Sequence, residues 1–221
     1  MSSCIQRIVN LAKKAISTSK GTGFELDDQL LKALNALSIH ELLFDPKEPF
    51  DTHKGLSSYY VDVYEDSDVS IGMFFLNASA KIPLHGHPQM TGIIKCIAGN
   101  LKISSFSPVE HEMNEDNLIL ATSHGDVVLS PSSDPAMLTP ISHNIHEVKN
   151  ASSSSPSGFL DILTPPYNVP DLPDFSPNEE IRLCNYYEVV KKDKEEFPTD
   201  FVSLRIIEKP DEHICRSLKF L

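Results

Sequence analysis

The sequence predicts a mainly β protein, folded as a single sandwich or barrel and preceded by N-terminal helices. Its 221 residues suffice for one large domain, or at most two small ones, with a substantial buried core. Short runs rich in Val, Ile, Tyr and Phe recur from about residue 59 onward, separated by Gly, Pro, Asn, Asp and Ser, which is typical of an all-β domain. Before these runs, apolar residues recur at helical spacing.

The elements follow in order along the chain. Two helices are expected at residues 5–18 and 26–43, because each stretch presents one apolar face. Ala98-Gly99-Asn100 predicts a hairpin turn, since these residues tolerate positive φ. The Pro-rich stretch 164–180 is expected to be a loop, because proline cannot donate to a sheet ladder. Strands are expected at residues 59–64, 70–75, 92–97, 101–106, 118–121, 126–129, 144–148, 159–163, 185–190 and 201–207.

These elements suggest three segments. We expect residues 1–45 to form a helical segment packed on the barrel, and residues 46–190 to form the barrel itself. Residues 191–221 carry no motif that we recognise and are expected to be a C-terminal extension.

Charge and hydropathy exclude several classes of function. Nineteen Lys and Arg stand against 31 Asp and Glu, giving a net charge of -12 that argues against nucleic-acid partners. No apolar run approaches the roughly 20 residues of a membrane span, so no membrane partner is expected. The four cysteines show no CxxC motif and no close spacing, which favours a reducing, cytoplasmic compartment over a disulfide scaffold. The basic N-terminus, with Lys13 and Lys14, leaves a mitochondrial presequence as the alternative to an ordinary amphipathic helix.

Histidine carries the functional signal. His85 and His87 are separated by one residue, so in extended chain both imidazoles project from one face and can bind one metal ion. A later cluster offers His143 or His146, and we favour His146 because Ile145 and Val148 indicate a strand through the core. The remaining histidines have polar or charged neighbours and are expected at the surface: His40, His53, His111, His124 and His213.

The order of these residues is similar to the two-motif signature of the cupin barrel, a double-stranded β-helix or jelly roll. Many cupins add a Glu four to five residues after the second His, whereas this chain has Met90, Thr91 and Gly92 there. Three neutral imidazoles without a carboxylate leave the full charge of Fe(II) and about three open positions. Such a site favours an anionic ligand, and a thiolate supplies the missing anion.

Four motifs together resemble the cysteamine dioxygenase and plant cysteine oxidase family of thiol dioxygenases. They are Pro83-Leu84-His85-Gly86-His87-Pro88 with Gly92, Asn144-Ile145-His146-Glu147, Phe159-Leu160-Asp161-Ile162-Leu163-Thr164-Pro165-Pro166-Tyr167 and Cys184-Asn185-Tyr186-Tyr187. Ile5-Gln6-Arg7-Ile8 resembles the animal, 2-aminoethanethiol dioxygenase, branch.

The resemblance implies a non-haem Fe(II) enzyme that uses O2 to convert a thiol into a sulfinic acid. We expect the protein to be a monomer. The implied substrates are cysteamine and the N-terminal cysteine of peptides, and peptide turnover would make the protein an oxygen sensor. His85, His87 and His146 are the implied iron ligands, and Asp161 and Tyr167 match residues on the substrate side of the pocket.

Several alternatives stay open at this point. Asp161 is expected to face an apolar interior, where a carboxylate needs a partner such as a substrate ammonium, or else Arg182 or Lys95 in a plain salt bridge. The resemblance implies a thioether crosslink between Cys184 and Tyr186, which otherwise fill a barrel end. The rival function is a metal-binding cupin that acts as a sensor or scaffold without turnover.

Overall fold

A computed structural model describes residues 3–19, 24, 26–41, 45–109, 118–168, 181–190, 200–211 and 213–218. Helix α1 (Ser3–Thr18) presents Ile8 and Ala12 to the core. Helix α2 (Asp28–Ala36) begins at Asp27, whose carboxylate caps the amide of Leu30 at 2.7 Å. The predicted helix 26–43 is too long, because Leu37 is extended and a single 3-10 turn (Ile39–Glu41) follows; residues 42–44 lie outside the described part.

A short helix, α3 (Glu48–Thr52), which the sequence pattern did not predict, leads into the strands. The strands are β1 (Ser58–Glu65), β2 (Ser70–Leu76), β3 (Lys81–Gly86), β4 (Thr91–Ala98), β5 (Leu101–Pro108), β6 (Leu118–Leu129), β7 (Ala136–Leu138), β8 (Ile145–Asn150), β9 (Ser157–Thr164), β10 (Tyr186–Val190), β11 (Phe201–Ile207) and β12 (Cys215–Leu218). The two strands predicted at 118–121 and 126–129 are one continuous strand, and β3, β7 and β12 were not predicted.

The strands form two sheets. The first has the order β12-β1-β2-β9-β4-β7. The second, β10-β11-β6-β5-β8-β3, closes on itself because β10 pairs with β11 along its length and with β3 through Tyr186 and His85. The predicted fold class, mainly β with a single barrel and N-terminal helices, is thus confirmed.

Three apolar clusters hold these layers together. The largest joins α1 and α2 to the outer face of the first sheet, with Ile8, Leu30 and Ile162 fully buried. A second, including Phe159 and Val148, lies between the two sheets. A third, including Leu84 and Leu204, fills the closed second sheet. Since successive residues of a strand point to opposite faces, His85 projects away from Leu84, toward the space between the sheets.

Strands from both sides of residue 190 share these sheets. Strand β11 pairs with β10 and β6, and β12 pairs in parallel with β1. The chain predicted as a C-terminal extension therefore supplies one strand to each sheet. Its strand 201–207 matches β11, whereas the short β12 lacked a recognisable apolar run.

Candidate metal centre

Three histidines meet between the sheets. His85 lies on β3 directly opposite His146 on β8, and His87 follows the end of β3. The Nε2 atom of His87 lies 3.1 Å from Nε2 of His85 and 3.3 Å from Nε2 of His146. The register between β3 and β8 therefore brings together residues about sixty positions apart, as the sequence pattern predicted for this trio.

Burial keeps these rings neutral. All three side chains are buried, and the cost of placing charge in the interior lowers the pKa of His85 to about 4. Burial first, and then the neighbouring imidazoles, hold the pKa values of His87 and His146 well below 6.5. The Nε2 lone pairs are therefore available near neutral pH without competition from protons.

Contacts on the opposite ring nitrogen orient the imidazoles of His85 and His87. Nδ1 of His85 lies 2.8 Å from the carbonyl of Pro83, so it carries the proton and donates it. Nδ1 of His87 lies 2.7 Å from the hydroxyl of Tyr167, which itself donates to the Gly86 carbonyl at 3.0 Å. A hydroxyl that donates to Gly86 accepts from His87, and this assigns the proton to Nδ1. Each partner thus leaves Nε2 free to bind a metal.

The donor set fits a divalent transition metal. Two nitrogens each about 2.1 Å from one ion and at roughly right angles to it are about 3 Å apart, as these pairs are. Among the described residues, this trio is the group of histidine, cysteine and carboxylate ligands close enough to hold an ion, and it includes no carboxylate. Imidazole-only sites suit iron, zinc, copper or nickel.

Asn144 fixes the segment that carries His87. Its side-chain amide donates to the His87 carbonyl at 2.6 Å and to the Thr139 carbonyl at 3.0 Å, and its oxygen accepts from the His87 amide at 3.2 Å. A buried amide with all three bonds made holds the chain rigidly just beyond β3. The sequence pattern gave no indication of this role, although Asn144 stands within the motif that contains His146.

Asp161 lies buried on β9, facing the space between the sheets. Burial raises the pKa of its carboxyl to about 7. Among the described residues no ion pair joins it to Lys95 or Arg182, because Lys95 donates to the carbonyls of Pro131 and Ser133 and Arg182 to that of Pro166. Asp161 is close enough to Tyr167 to raise the pKa of that phenol further.

Tyr167, Cys184 and Tyr186 form one cluster beside the histidines. Burial raises the pKa of the Cys184 thiol, and the nearby hydroxyls of Tyr167 and Tyr186 lower it in part. The Tyr186 ring lies across from His85, with ring centroids 6.3 Å apart, and the Tyr167 ring lies 5.4 Å from that of His87. The structure thus brings the predicted pair Cys184 and Tyr186 to the same side of the centre.

Two further histidines differ in their relation to this centre. The His213 side chain is buried, its ring centroid lies 6.5 Å from that of Tyr186, and its charge would lower the pKa of His85. The prediction that His213 lies at the surface is therefore wrong. Its polar sequence neighbours gave no signal, because its position depends on β12 pairing with β1. His143 instead bonds to Ser105, and its ring lies 4.0 Å from that of His124 at a tilt of 36°, outside the trio.

Comparison with known proteins identifies the family. The PCO_ADO family model matches residues 28–220. A 2-aminoethanethiol dioxygenase of Mus musculus is 29% identical, over 86% of this chain and 81% of its own length. Plant cysteine oxidase 1 of Arabidopsis thaliana is 26% identical, over 90% of this chain and 66% of its own length.

Two other findings accompany these. A cupin superfamily protein from Desulfitobacterium hafniense matches 48% of this chain and 76% of its own, with a TM-score of 0.34 and 13% identity. Within the described residues, no helix has the length and apolar character needed to cross a membrane. The family match covers most of the chain and includes the histidine trio. The chain therefore belongs to the PCO_ADO family, the thiol dioxygenase family that its motifs resemble.

Proposed function

We propose that this protein is a non-haem Fe(II) dioxygenase that inserts both atoms of O2 into the sulfur of cysteamine or of an N-terminal cysteine, giving a sulfinic acid. The observation that carries the proposal is a buried centre of three neutral imidazoles, to which the described part of the chain adds no carboxylate, in a member of this family. The relatives are named for oxidation of 2-aminoethanethiol and of cysteine. Both substrates combine a thiol with an amine two carbons away.

The proposed ligands are His85, His87 and His146. Bound Fe(II) would supply the redox centre and the open positions at which a thiolate and O2 are brought together. Pro83 and Tyr167 keep the imidazoles in the tautomer that binds metal. Because the described residues place no carboxylate among these ligands to offset the metal charge, the site is proposed to select a substrate that brings its own negative charge.

Asp161 is proposed to recognise the substrate amine. With a pKa of about 7, the carboxyl populates both its protonated and its ionised form near neutral pH. An ammonium group beside it favours the ionised form. No cation of the described residues neutralises this group, because Lys95 and Arg182 donate to backbone carbonyls instead. The Ile162 amide bonds to this carboxyl, but a buried carboxyl that no described cation pairs with is suited to bind a charged ligand.

Cys184 and Tyr186 are proposed to form a thioether. The thiol S–H bond and one ring C–H bond would break, one S–C bond would form, and O2 would take up the two protons and two electrons. The proximity of the Cys184 thiol to the Tyr186 hydroxyl, which lowers the pKa of that thiol, supports this proposal. Intact-mass measurement before and after exposure to O2 tests this step through the loss of two hydrogens, with Cys184→Ala as the control.

The competing function is a metal-binding cupin without turnover. To distinguish the two, Fe(II) is loaded anaerobically, and oxidised products are measured for cysteamine and for a peptide that begins with cysteine. The dioxygenase proposal predicts a sulfinic acid from at least one thiol and none from His146→Ala. It also predicts that Asp161→Asn loses turnover while retaining iron. Full metal loading with no product from either thiol would favour the sensor.

The ratio of rates on the two thiols decides the biological substrate. Faster oxidation of the peptide would support a role in oxygen sensing, because the extent to which a protein substrate is oxidised would then report the level of O2. Faster oxidation of cysteamine would support a role in small-thiol metabolism.

A further inference from the structure

An apolar cavity of about 210 Å³ lies beside His146, between the two sheets. Its walls come from β4 through β8, and their apolar members include Ile94, Ile103, Ala136 and Leu138. His146 itself is part of the wall, so the cavity borders the metal centre. Val127, half exposed on β6, also lines the cavity, which therefore reaches the protein surface there.

The polar groups of this cavity are already paired. Ser105 and His143 line it together with His146, and the Ser105 hydroxyl lies 2.8 Å from Nδ1 of His143. Among the described residues, no carboxylate, lysine or arginine lines the cavity. A ligand that carries an ammonium would lose its hydration there without gaining a partner.

The groups suited to a charged thiol lie elsewhere around the centre. Tyr167 contacts His87, and the Tyr186 ring lies across from His85. Asp161 acts on Tyr167, and it stands opposite the cavity residue Ile94 in the register of β9 and β4 without lining the cavity itself. None of these side chains lines the cavity at His146. The centre therefore has a polar approach beside His85 and His87 and an apolar approach beside His146.

We propose that this cavity, bounded by Val127, Ala136 and His146, is the route by which O2 reaches the metal centre, separate from the approach of the thiol. The inference rests on the proposed function, since it assigns a path to one of the two substrates. Dioxygen is small, uncharged and apolar, and apolar cavities accept such gases while excluding water that lacks polar partners. A separate path lets O2 arrive while a thiol occupies the polar side.

Two adjacent valines provide a matched test. Val127 and Val128 are 50% and 61% exposed on β6, where they pair with Ile103 and Lys102 and point to opposite faces. Val127→Trp is expected to obstruct the cavity and raise the KM for O2 about threefold or more, with kcat at saturating O2 and the KM for thiol unchanged. Val128→Trp should leave all three constants at the wild-type values.

A second variant acts from inside the cavity. Ala136→Phe fills the cavity from β7, and Ala80→Phe adds the same ring at an alanine that packs on the same core cluster without lining the cavity. The KM for O2 should rise in Ala136→Phe alone. Xenon provides a readout that does not depend on iron or turnover: it should bind beside His146 in crystals of the metal-free wild type and be lost in Ala136→Phe.

The outcomes separate the route from the function. Wild-type protein that oxidises neither thiol overturns the proposed function, and the route with it. An active wild type whose KM for O2 is unchanged in both Val127→Trp and Ala136→Phe overturns the route alone. A rise in the KM for thiol in place of that for O2 also overturns it, because the cavity would then receive the thiol.

Discussion

The hydroxyl of Tyr167 provides a direct test of how this chain prepares its histidines for a metal. Tyr167→Phe removes the 2.7 Å contact with Nδ1 of His87 and the 3.0 Å bond to Gly86 while keeping the ring. Partners of this kind typically contribute 10- to 100-fold in metal affinity, so we expect affinity to fall by about that factor, or roughly 1.4 to 2.7 kcal/mol. Without the acceptor, the His87 ring loses the contact that fixes its tautomer.

The assay is competition between the protein and a chelator of known affinity, with Co(II) or Fe(II) under anaerobic conditions. Tyr187→Phe is the matched control. Tyr187 also packs against Gly86, but it belongs to the apolar cluster of Leu84 and Leu204, on the face of the second sheet that points away from the histidines. Its affinity should remain at the wild-type value. If Tyr167→Phe binds metal as tightly as Tyr187→Phe, Tyr167 does not orient His87.

Three further predictions concern stability. The Asp161 carboxyl has a pKa of about 7 in the folded protein and 3.8 in the unfolded chain, so the free energy of unfolding of the wild type falls as pH rises between these values. In urea titrations of the metal-free protein, Asp161→Asn should therefore be more stable than the wild type by at most roughly 4 kcal/mol at pH 8 and equally stable below pH 4. A difference that stays constant across pH would contradict this. In the same titration, Gly99→Ala should lower the free energy of unfolding more than Gly125→Ala does. Both glycines have positive φ, but a Cβ at Gly99 would lie 2.9 Å from the Pro156 carbonyl oxygen, whereas a Cβ at Gly125 would meet open space. Equal losses of stability would show that this crowding has no effect. Truncation after Ile207 removes β12 and His213 and should lower the melting temperature of the metal-free protein, whereas an unchanged melting temperature would show that β12 does not support the first sheet.

The sequence predicted those parts of the fold that local patterns determine. Alternating and branched apolar residues marked most strands, and β11 was predicted with its observed bounds. The end of α2 was misplaced because leucines continue beyond Ala36 at helical spacing, although the chain at Leu37 is already extended. Strand β3 was missed because it contains Pro83, and β7 and β12 were missed because they are short. The strands with which they pair, and not their own sequence pattern, determine these three strands.

The site divides in the same way. The spacing of His85 and His87, and the apolar neighbours of His146, were visible in the sequence and were sufficient to bring the trio together. Asn144 and His213 were not recognised, because their positions depend on contacts with distant parts of the chain. The cavity beside His146 was equally invisible, since its walls come from five strands.

The most direct test of the central proposal is the fate of isotopically labelled O2. The Fe(II)-loaded protein is mixed anaerobically with cysteamine, or with a peptide that begins with cysteine, and then exposed to the labelled gas. Mass spectrometry of the product should show a sulfinic acid in which both oxygen atoms carry the label. A product with one labelled atom, or no oxidised product from either thiol, would contradict the proposal that this three-histidine centre is a thiol dioxygenase.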